Sequence, residues 1–524
     1  MLKIIEKRVT QLLAQHSPDL LQSSKMGLEK ESLRVSPSGQ LAQTPHPVVL
    51  GSALTHPYIT TDYSEALMEF ITPPLSDVQE TLQFLCNTQK YVYDRLHNEF
   101  LWATSMPCVV AGETSIPLAQ YGKSNAGVMK TVYRRGLGHR YGRVMQVIAG
   151  VHFNYSYSDE FWRVWRELGE TDAGVDPQAF ISSAYMGVTR NVLRYGWIIP
   201  YLFGASPAVC KSFFAGKQSR LEEFDGGTFY QPFATSLRLG DIGYHNKNTG
   251  KTAVKVSYNS LAEYIDSLSR AITTPCQEYE KFGVVVNGEY QQLNSHLLQI
   301  ENEYYSSIRP KQITGRFEKP ITALKKRGIQ YLELRSLDVN AYHPMGIAKE
   351  QMHFLELFVL YCLLLPSLPI SESEQEEIDH NKTAVAHEGR NPQLKLVYGG
   401  KTRLLQEWAL EMTMGLKQVA LCFDAKKFDY QQLIAQQIAV IKDPELTPSA
   451  RMLAEMRSNK EGFYQFALRM SQQHYDYYRR MELPHEQQRL FDDLAAQSWD
   501  NQSQLEQGDK RGFAEFLQQY LQQG

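Results

Sequence analysis

Polar and apolar residues alternate along the segment "GLEKESLRV", residues 27–35, in the way typical of a β-strand. Because successive side chains of a strand point to opposite faces, Glu29 and Glu31 share one face and Lys30 lies on the other. Two carboxylates side by side repel each other, since both are negatively charged at neutral pH. The sequence therefore raises the question of which ligand these two carboxylates bind.

Two further segments place polar side chains together on one face of a predicted strand. "YLELRSLD" brings Glu333 and Arg335 together, and "VIAGVHFNYSY" brings His152 and Asn154 together. Each has an ordinary alternative, because an exposed ion pair contributes little to stability and a lone histidine in a strand is more often structural than a ligand. Neither segment decides the function by itself.

The segment "TTDYSEALMEFITP" fits two different elements. Asp62, Glu65 and Glu69 are spaced to share a helix face, but "LMEFIT" also fits a strand that is entered from a turn. We favour the second interpretation, with Asp62 in the turn and Glu69 on the strand. In "LQIENEYYS" the alternation predicts a strand with three outward polar side chains: Glu301, Glu303 and Tyr305.

Helical periodicity predicts several further elements. The opening "MLKIIEKRVTQLLAQH" predicts a short amphipathic helix, and an apolar stripe predicts another over residues 77–99. The apolar run from Phe354 is too short to span a bilayer and contains Glu356, so we expect a buried helix that ends before Pro366. The chain is predicted to be α+β: a single catalytic unit, residues 1–524, with a sheet-containing catalytic body over 1–350 and a mainly helical part over 351–524.

Composition narrows the function classes. The chain has 524 residues, a formal net charge of -3 and a pI of about 6.6, so it lacks the basic character of nucleic-acid-binding proteins. No signal peptide or membrane span is predicted, and we expect a cytoplasmic protein without a nucleic-acid or membrane partner. The six cysteines are scattered without a CxxC pair, which predicts reduced thiols and neither a disulfide framework nor a zinc site.

The carboxylates and the histidine together indicate a metal site. Oxygen-rich donor sets without cysteine suit hard ions such as Mg²⁺ or Mn²⁺, and Mg²⁺ is usually completed by substrate phosphates. A P-loop is excluded, because the "GKT" sequences at Gly250 and Gly400 follow His245 and Lys395 at the position where the motif needs glycine. Metal ions and basic side chains must then hold the phosphates of any nucleotide.

Basic residues are available in the middle of the chain. "MKTVYRRGLGHRYG" mixes basic, aromatic and glycine residues, and its Lys130 and Arg134 are candidates for binding ATP. "YQPFATSLRLGDIGYHNK" carries Arg238 and Tyr244. The planar fork of arginine matches carboxylates and phosphates, and this is the better interpretation in an acidic protein. The glycine-rich stretch 122–142 is a candidate lid.

Several long motifs, in order along the chain, resemble those of the proteobacterial glutamate–cysteine ligases, also called γ-glutamylcysteine synthetases. The motifs are "GLEKESLRV", "GSALTHPYITTDYSEALMEFITPP", "WATSMPC", "LAQYGKSNAG", "WIIPYLFGASPAVC", "ATSLRLGDIGY", "QIENEYYSSIRPK" and "YLELRSLDVN". The resemblance is strong over residues 25–344 and weaker towards the C-terminus. It implies that ATP drives the joining of L-glutamate, through a γ-glutamyl phosphate, to the amine of L-cysteine, the first step of glutathione biosynthesis.

The resemblance also implies a fold and a set of roles. The implied fold is a curled antiparallel sheet that forms a funnel, similar to the catalytic domain of glutamine synthetase and surrounded by helices. Mg²⁺, or Mn²⁺, is implied at six side chains: Glu29, Glu31, Asp62, Glu69, His152 and Glu333. Arg238 and Arg335 are implied as catalytic and substrate-binding residues. The implied lining of the cysteine pocket is Tyr133, Tyr244 and Tyr305, and feedback inhibition by glutathione is implied as well.

The chemistry explains why such residues are needed, and it leaves alternatives open. A free γ-carboxylate is a poor acceptor for an amine, because its leaving group would be oxide, and phosphorylation by ATP removes that obstacle. Metal ions and arginines offset the repulsion between the carboxylate and the triphosphate. Three alternatives are a ligase for another amine, a two-metal phosphohydrolase and a non-enzymatic cation-binding protein.

Overall fold

The structure, a computed structural model, describes residues 2–15, 18–169, 174–214, 219–243, 252–424 and 427–523. Its strands are β1 (Lys25–Val35), β2 (Ile59–Thr61), β3 (Leu67–Ile71), β4 (Phe100–Leu101), β5 (Val151–Ser156), β6 (Ala208–Cys210), β7 (Glu222–Glu223), β8 (Thr228–Tyr230), β9 (Val285–Val286), β10 (Glu289–Tyr290), β11 (Ile308–Lys311), β12 (Tyr331–Leu337), β13 (Lys395–Tyr398) and β14 (Lys401–Leu404). Its α-helices are α1 (Leu2–Gln15), α2 (Val78–Tyr93), α3 (Asn125–Tyr141), α4 (Asp159–Leu168), α5 (Pro177–Tyr195), α6 (Ile198–Phe203), α7 (Leu261–Thr273), α8 (Gln277–Glu280), α9 (Pro320–Arg327), α10 (Lys349–Leu364), α11 (Glu372–Glu388), α12 (Leu405–Ala420), α13 (Tyr430–Lys442), α14 (Pro448–Asn459), α15 (Phe463–Arg480), α16 (His485–Gly508) and α17 (Phe513–Gln522).

The main sheet is antiparallel. Its strands pair in the order β11–β12–β5–β1–β3–β2, and β4 pairs with the end of β1. Strands that are distant in the sequence are therefore neighbours, since β12 lies beside β5 and β5 lies beside β1. This topology confirms the predicted α+β class with an antiparallel sheet and many helices.

One face of the main sheet is apolar and covered by helices. Leu28, Phe153 and Leu332 alternate with the polar residues of their strands and are fully buried. Helices α2 and α5 contact these strands, and α10 packs against both helices. Every residue of α10 from Gln351 to Leu364 is buried, as predicted for a core helix. None of the described helices is both long and apolar enough to cross a membrane.

The other face of the main sheet is polar. Residues directly opposite each other on paired strands share a face, so the register collects polar side chains here. The opposed pairs are Glu29 with His152, Glu31 with Glu69, Asn154 with Glu333, and Arg309 with Glu333. The predicted alternation of β1 is confirmed, because Lys30 Nζ donates to Gln89 Oε1 of α2, behind the sheet, at 2.7 Å.

The turn followed by a strand, the predicted structure of "TTDYSEALMEFITP", is confirmed. Asp62 follows β2, and Glu69 lies in the middle of β3. The strand predicted for "LQIENEYYS" is wrong, since Glu301–Glu303 form a single 3₁₀ turn. Glu303 Oε1 lies 2.9 Å from Arg140 Nη1, with both side chains fully buried. Glu301 accepts the N–H of the first turn of α9, so both carboxylates satisfy buried donors and are structural.

The glycine-rich stretch 122–142, a candidate lid, is mostly helix α3. The C-terminal helices anchor its first turn, because the Asp509 carboxylate, just after α16, accepts the N–H of Asn125 at 2.5 Å. Its glycines allow close packing, since a Cβ at Gly136 would overlap the side chain of Gln299. The stretch is therefore mostly an anchored helix, and its role as a lid stays a prediction.

Two cysteines form a disulfide, which corrects the prediction of reduced thiols. Cys108 and Cys210 are bonded, with their Cα atoms 5.5 Å apart. They are separated by 102 residues without a spacing motif, so only the fold brings them together. The other cysteines are free and buried: Cys86, Cys276, Cys362 and Cys422.

The strands of the main sheet all precede residue 338. The described residues after that point form helices and the β13–β14 hairpin. The division of the chain at residue 350, and its action as a single catalytic unit, stay predictions.

Candidate active site

Three side chains converge on adjacent strands of the polar face. Glu29 on β1, His152 on β5 and Glu333 on β12 each offer a ligand atom, and these atoms lie within 4.8 Å of one another. His152 Nδ1 lies 3.0 Å from Glu29 Oε2 and 3.6 Å from Glu333 Oε1. Asn154 Nδ2 donates to Glu29 Oε1 at 2.9 Å. Neighbouring groups on the same face thus hold these carboxylates in place.

Cations surround Glu333. Arg335 Nη1 donates to Glu333 Oε1 at 3.0 Å, and Lys311 Nζ of β11 lies 3.6 Å from Oε2. Burial would raise the pKa of Glu333, but Lys311 and Arg335 outweigh it and hold that pKa well below its usual value. Glu333 is therefore ionised even though its side chain is only 2% exposed.

A second acidic group lies beside the first on the same face, on β1, on β3 and just after β2. Glu31 and Glu69 are directly opposite each other on β1 and β3, and Asp62 follows β2. Burial, followed by the charges of Glu29 and Asp62, raises the pKa of Glu69 well above its usual value. Burial also raises the pKa of Glu31, whose Oε2 accepts the N–H of Gly150 at 2.7 Å. A bound cation would relieve this excess of negative charge.

Helix α3 brings positive charge to Asp62. Arg134 Nη2 lies 3.9 Å from Asp62 Oδ1, and Arg134 Nε donates to the carbonyl oxygen of Asp62. Lys130 Nζ and the Arg134 guanidinium lie 5.0 Å and 4.6 Å from the centre of the Tyr121 ring. Burial, followed by the nearby Arg134, lowers the pKa of Lys130 to about 8. Both residues predicted to bind ATP are thus beside the acidic edge of the sheet.

The two predicted catalytic arginines are adjacent. Arg238 Nη2 donates to the carbonyl oxygen of Arg335 at 3.1 Å. Arg238 Nη1 and Arg335 Nε are buried and have no hydrogen-bond partner among the described residues. A Cβ at Gly150 would overlap Arg238 Nη2, so this glycine makes room for the guanidinium. Buried donors without partners are rare, so these two nitrogens are available to an anionic ligand.

Two of the three predicted pocket tyrosines are described. Tyr133 lies on α3, where its carbonyl oxygen accepts from Gln299 Nε2 at 3.1 Å. Tyr305 lies near Arg335: burial lowers the pKa of that arginine, and Glu333 and Tyr305 raise it above its usual value. Tyr244 lies outside the described residues. A cysteine pocket formed by these tyrosines stays a prediction.

Sequence reasoning gave no role to two polar residues of this site, Asn154 and Lys311. The signal for Asn154 was present, because it shares a strand face with His152, and the structure pairs it directly with Glu333. Lys311 had no clear signal, since Pro310 argues against a strand. The proline is tolerated because β11 is at the edge of the main sheet.

The side chains fit a hard divalent cation. Glu333 Oε2 is a buried carboxylate oxygen without a hydrogen-bond partner among the described residues, which leaves it available to a metal. Carboxylate oxygens with one imidazole nitrogen form a donor set suited to Mg²⁺ or Mn²⁺. The close group contains three of the six predicted ligands: Glu29, His152 and Glu333. The others lie on neighbouring parts of the same sheet, outside that group: Glu31, Asp62 and Glu69.

A protein-family model described as glutamate–cysteine ligase matches residues 9–385 of the chain. The chain belongs to the glutamate–cysteine ligase family. Relatives agree along its whole length: the glutamate–cysteine ligase of Alcanivorax borkumensis is 44% identical, covering 99% of this chain and 100% of the relative. That of Pseudomonas putida is also 44% identical, covering 99% of this chain and 98% of the relative.

Two solved structures are similar to this chain in fold. The glutamate–cysteine ligase of Francisella tularensis, crystallised in complex with AMP, is 35% identical, with a TM-score of 0.89, covering 95% of this chain and 97% of that one. A bifunctional glutathione synthetase of Pasteurella multocida is 26% identical, with a TM-score of 0.74, covering 93% of this chain and 58% of the longer protein. The resemblance noted from the motifs is thereby confirmed.

Proposed function

We propose that this protein is an ATP-dependent ligase that joins the γ-carboxylate of L-glutamate to the amine of L-cysteine and releases ADP and phosphate. The observation that carries the proposal is the polar face of the main sheet, where carboxylates able to hold a metal lie beside buried arginine donors. In a member of the glutamate–cysteine ligase family, this arrangement suits an enzyme that must bring two anions together.

The first step is an electrostatic problem, because the γ-carboxylate must attack the γ-phosphorus of a triphosphate. Arg238 Nη1 and Arg335 Nε, buried nitrogens that donate no hydrogen bond to the described residues, are available to anionic oxygens. Lys130 and Arg134 add positive charge at the side of the sheet where Asp62 lies. The planar arginine fork binds carboxylate or phosphate through two parallel hydrogen bonds, which orients the reactants as well as neutralising them.

Phosphorylation makes the γ-carbon of glutamate reactive towards an amine. A carboxylate oxygen forms a bond to the γ-phosphorus, and the bond between that phosphorus and ADP breaks. The amine of cysteine then attacks the acyl carbon and loses a proton, while the carbon–oxygen bond to the phosphate breaks. The oxygen donated by glutamate therefore leaves in the inorganic phosphate, which gives the reaction a measurable signature.

We propose Mg²⁺ as the cofactor, with Mn²⁺ as an alternative, at the six predicted ligands: Glu29, Glu31, Asp62, Glu69, His152 and Glu333. When bound, a divalent cation neutralises the phosphate charge that develops during transfer. The crowding of Glu31 and Glu69, with the raised pKa of Glu69, supports this proposal. So does Glu333 Oε2, a buried oxygen that accepts no hydrogen bond from the described residues.

Three finer proposals follow from family membership and chemistry. Cysteine is bound beside a set of tyrosines: Tyr133, Tyr244 and Tyr305. Glutathione acts as a feedback inhibitor, since it contains the γ-glutamylcysteine unit and so fits the subsites of the product. The reaction takes place in the cytoplasm, where ATP and both amino acids are available.

The proposal is tested by ADP release from the purified protein with MgATP and glutamate alone, cysteine alone, both, or glutamate with other amines. A glutamate–cysteine ligase releases ADP rapidly only with both amino acids, and mass spectrometry then detects γ-glutamylcysteine. Release without either amino acid identifies a phosphohydrolase, a preference for another amine identifies a different ligase, and no release identifies a binding protein. Glu333→Gln, prepared in the same way, controls for contaminating activity.

A further inference from the structure

Asp338 is a buried carboxylate that directly follows β12. Its Oδ2 accepts the N–H of Ala205 at 2.8 Å and the hydroxyl of Ser206 at 2.6 Å. Its Oδ1 accepts the hydroxyl of Ser236 at 2.9 Å. Three donors from two separate segments thus fix the carboxylate in one orientation. A residue that only ended the strand would not need these hydrogen bonds.

The same carboxylate faces Arg238. Asp338 Oδ1 lies 3.7 Å from Arg238 Nη1, which is too far for a hydrogen bond but close enough for strong attraction in a buried environment. Arg238 Nη1 has no hydrogen-bond partner among the described residues, whereas Nη2 donates to the carbonyl oxygen of Arg335. Asp338 therefore balances the charge of Arg238 without forming a hydrogen bond to Nη1.

The distance between the Asp338 carboxylate and the Arg238 guanidinium matters if this arginine binds a ligand. A buried guanidinium without a counter-charge is costly, but a carboxylate bonded directly to it would compete with an anionic substrate for the same nitrogens. The guanidinium is confined on another side by Gly150, where a Cβ would overlap Nη2. Arg238 is thus held between Asp338, just after β12, and Gly150, just before β5, and its Nη1 makes no hydrogen bond with the described residues.

We propose that Asp338 is a positioning residue of the ligation reaction, which orients Arg238 so that its free nitrogen meets an anionic oxygen of glutamate or of the transferred phosphate. This inference rests on the proposed function, since Arg238 has an anion to bind only if the substrates occupy the polar face. Ser206 and Ser236 act one step further away, because they fix Asp338.

Asp338→Asn tests the charge with little change of shape. The amide oxygen still accepts from Ala205 and Ser206, and the Ser236 hydroxyl can turn to accept from the amide nitrogen. We expect kcat/KM for glutamate to fall roughly 10- to 100-fold, on the scale of groups that orient a ligating side chain. A rise in KM for glutamate identifies its carboxylate as the oxygen bound, and a fall in kcat alone identifies the transferred phosphate. Unchanged values of both would overturn the proposal.

A double-mutant cycle separates positioning from a structural role. If Asp338 acts through Arg238, Asp338→Asn should have an effect of less than about twofold when Arg238→Gln is already present, because that variant lacks the charge that Asp338 faces. If the fold-changes in kcat/KM caused by the substitutions at Asp338 and Arg238 multiply in the double variant, Asp338 supports the structure independently and the proposal is wrong. If Asp338→Asn does not fold, Ser236→Ala replaces it in the cycle, because that variant keeps the charge and removes one of the bonds that fix it.

Asp429→Asn is the matched control. Asp429 is an exposed aspartate whose Oδ1 caps α13 by accepting the N–H of Gln432 at 2.8 Å, so its variant should keep both kcat and KM. A wild-type protein that forms no γ-glutamylcysteine would refute the proposed function and this inference with it. A wild-type protein that does form the dipeptide, with effects that multiply in the cycle, would refute this inference alone.

Discussion

Glu69→Gln should stabilise the metal-free protein while abolishing ligation. Glu69 is directly opposite Glu31 across β3 and β1, and burial together with the charges of Glu29 and Asp62 raises its pKa well above the usual value. Removing this carboxylate removes repulsion that the folded protein bears whenever no cation is bound. The same change removes a predicted metal ligand, so stability and activity should move in opposite directions.

The size of the gain follows from the pairing of the strands. Side chains directly opposite each other on antiparallel strands are roughly 5 Å apart. At an effective dielectric constant of about 20, two full negative charges at that separation repel by roughly 3 kcal/mol. Glu69 avoids part of this repulsion by taking up a proton, so we expect a net gain of about 1–2 kcal/mol near neutral pH. The gain should increase as the pH rises, because more of the wild-type carboxylate is then ionised.

Thermal unfolding measures the stability of the metal-free protein and its response to the metal, and the ADP-release assay measures the loss of ligation. Chelator-treated Glu69→Gln should unfold at a higher temperature than chelator-treated wild type. Addition of Mg²⁺ with a non-hydrolysable ATP analogue should raise the midpoint of the wild type strongly and that of the variant weakly, since ligands stabilise only the state that binds them. Glu486→Gln, an exposed carboxylate of α16, is the control and should behave as wild type. A less stable metal-free variant, or a full response to Mg²⁺ and nucleotide, would refute the reasoning.

Further predictions concern an arginine, the disulfide and a buried histidine. Arg335→Lys keeps the charge but loses the planar fork, so turnover in the ADP-release assay should fall roughly 100-fold, and near-normal turnover would count against its role. Replacing Cys108 and Cys210 by serine should lower the free energy of unfolding by about 4–5 kcal/mol, because their bond closes a loop of 102 residues. Wild type reduced with dithiothreitol should lose the same free energy of unfolding in urea. An unchanged midpoint would disprove that the bond stabilises the protein. Burial lowers the pKa of His56 to about 4, and its Nδ1 accepts the N–H of Ile59 at 2.9 Å. The unfolded chain therefore binds this proton first, so stability is lost as the pH falls from 6.5 towards 4, by about 2 kcal/mol at pH 5. His56→Asn should flatten that part of the stability profile, and a profile equal to that of wild type would contradict it.

The polar positions of the strands could be predicted from local pattern, because a period of two residues needs no knowledge of the fold. That pattern places Glu29 and Glu31 on one face of β1. It also places His152 on one face with Asn154, and Glu333 on one face with Arg335. Which strands pair, and in which register, depends on contacts between distant parts of the chain. The close approach of Glu29, His152 and Glu333 is visible only once β12, β5 and β1 are side by side.

The failed predictions have the same physical origin. Glu301 and Glu303 alternate as in a strand, but Glu303 forms a buried ion pair with Arg140, which is far away in the sequence. The bond between Cys108 and Cys210 likewise joins segments that no local motif connects. The sequence predicts no role for Asp338, because a single aspartate after a strand is common and its contacts depend on donors from two other segments.

The most direct test follows the oxygen atoms of glutamate. L-glutamate labelled with ¹⁸O in its γ-carboxylate is incubated with the protein, MgATP and L-cysteine, and the inorganic phosphate is analysed by mass spectrometry. A γ-glutamyl phosphate formed at this site predicts one ¹⁸O atom in the phosphate for each molecule of γ-glutamylcysteine. Phosphate without label, or phosphate formed without the dipeptide, would contradict the central claim that this protein activates glutamate by phosphorylation for ligation to cysteine.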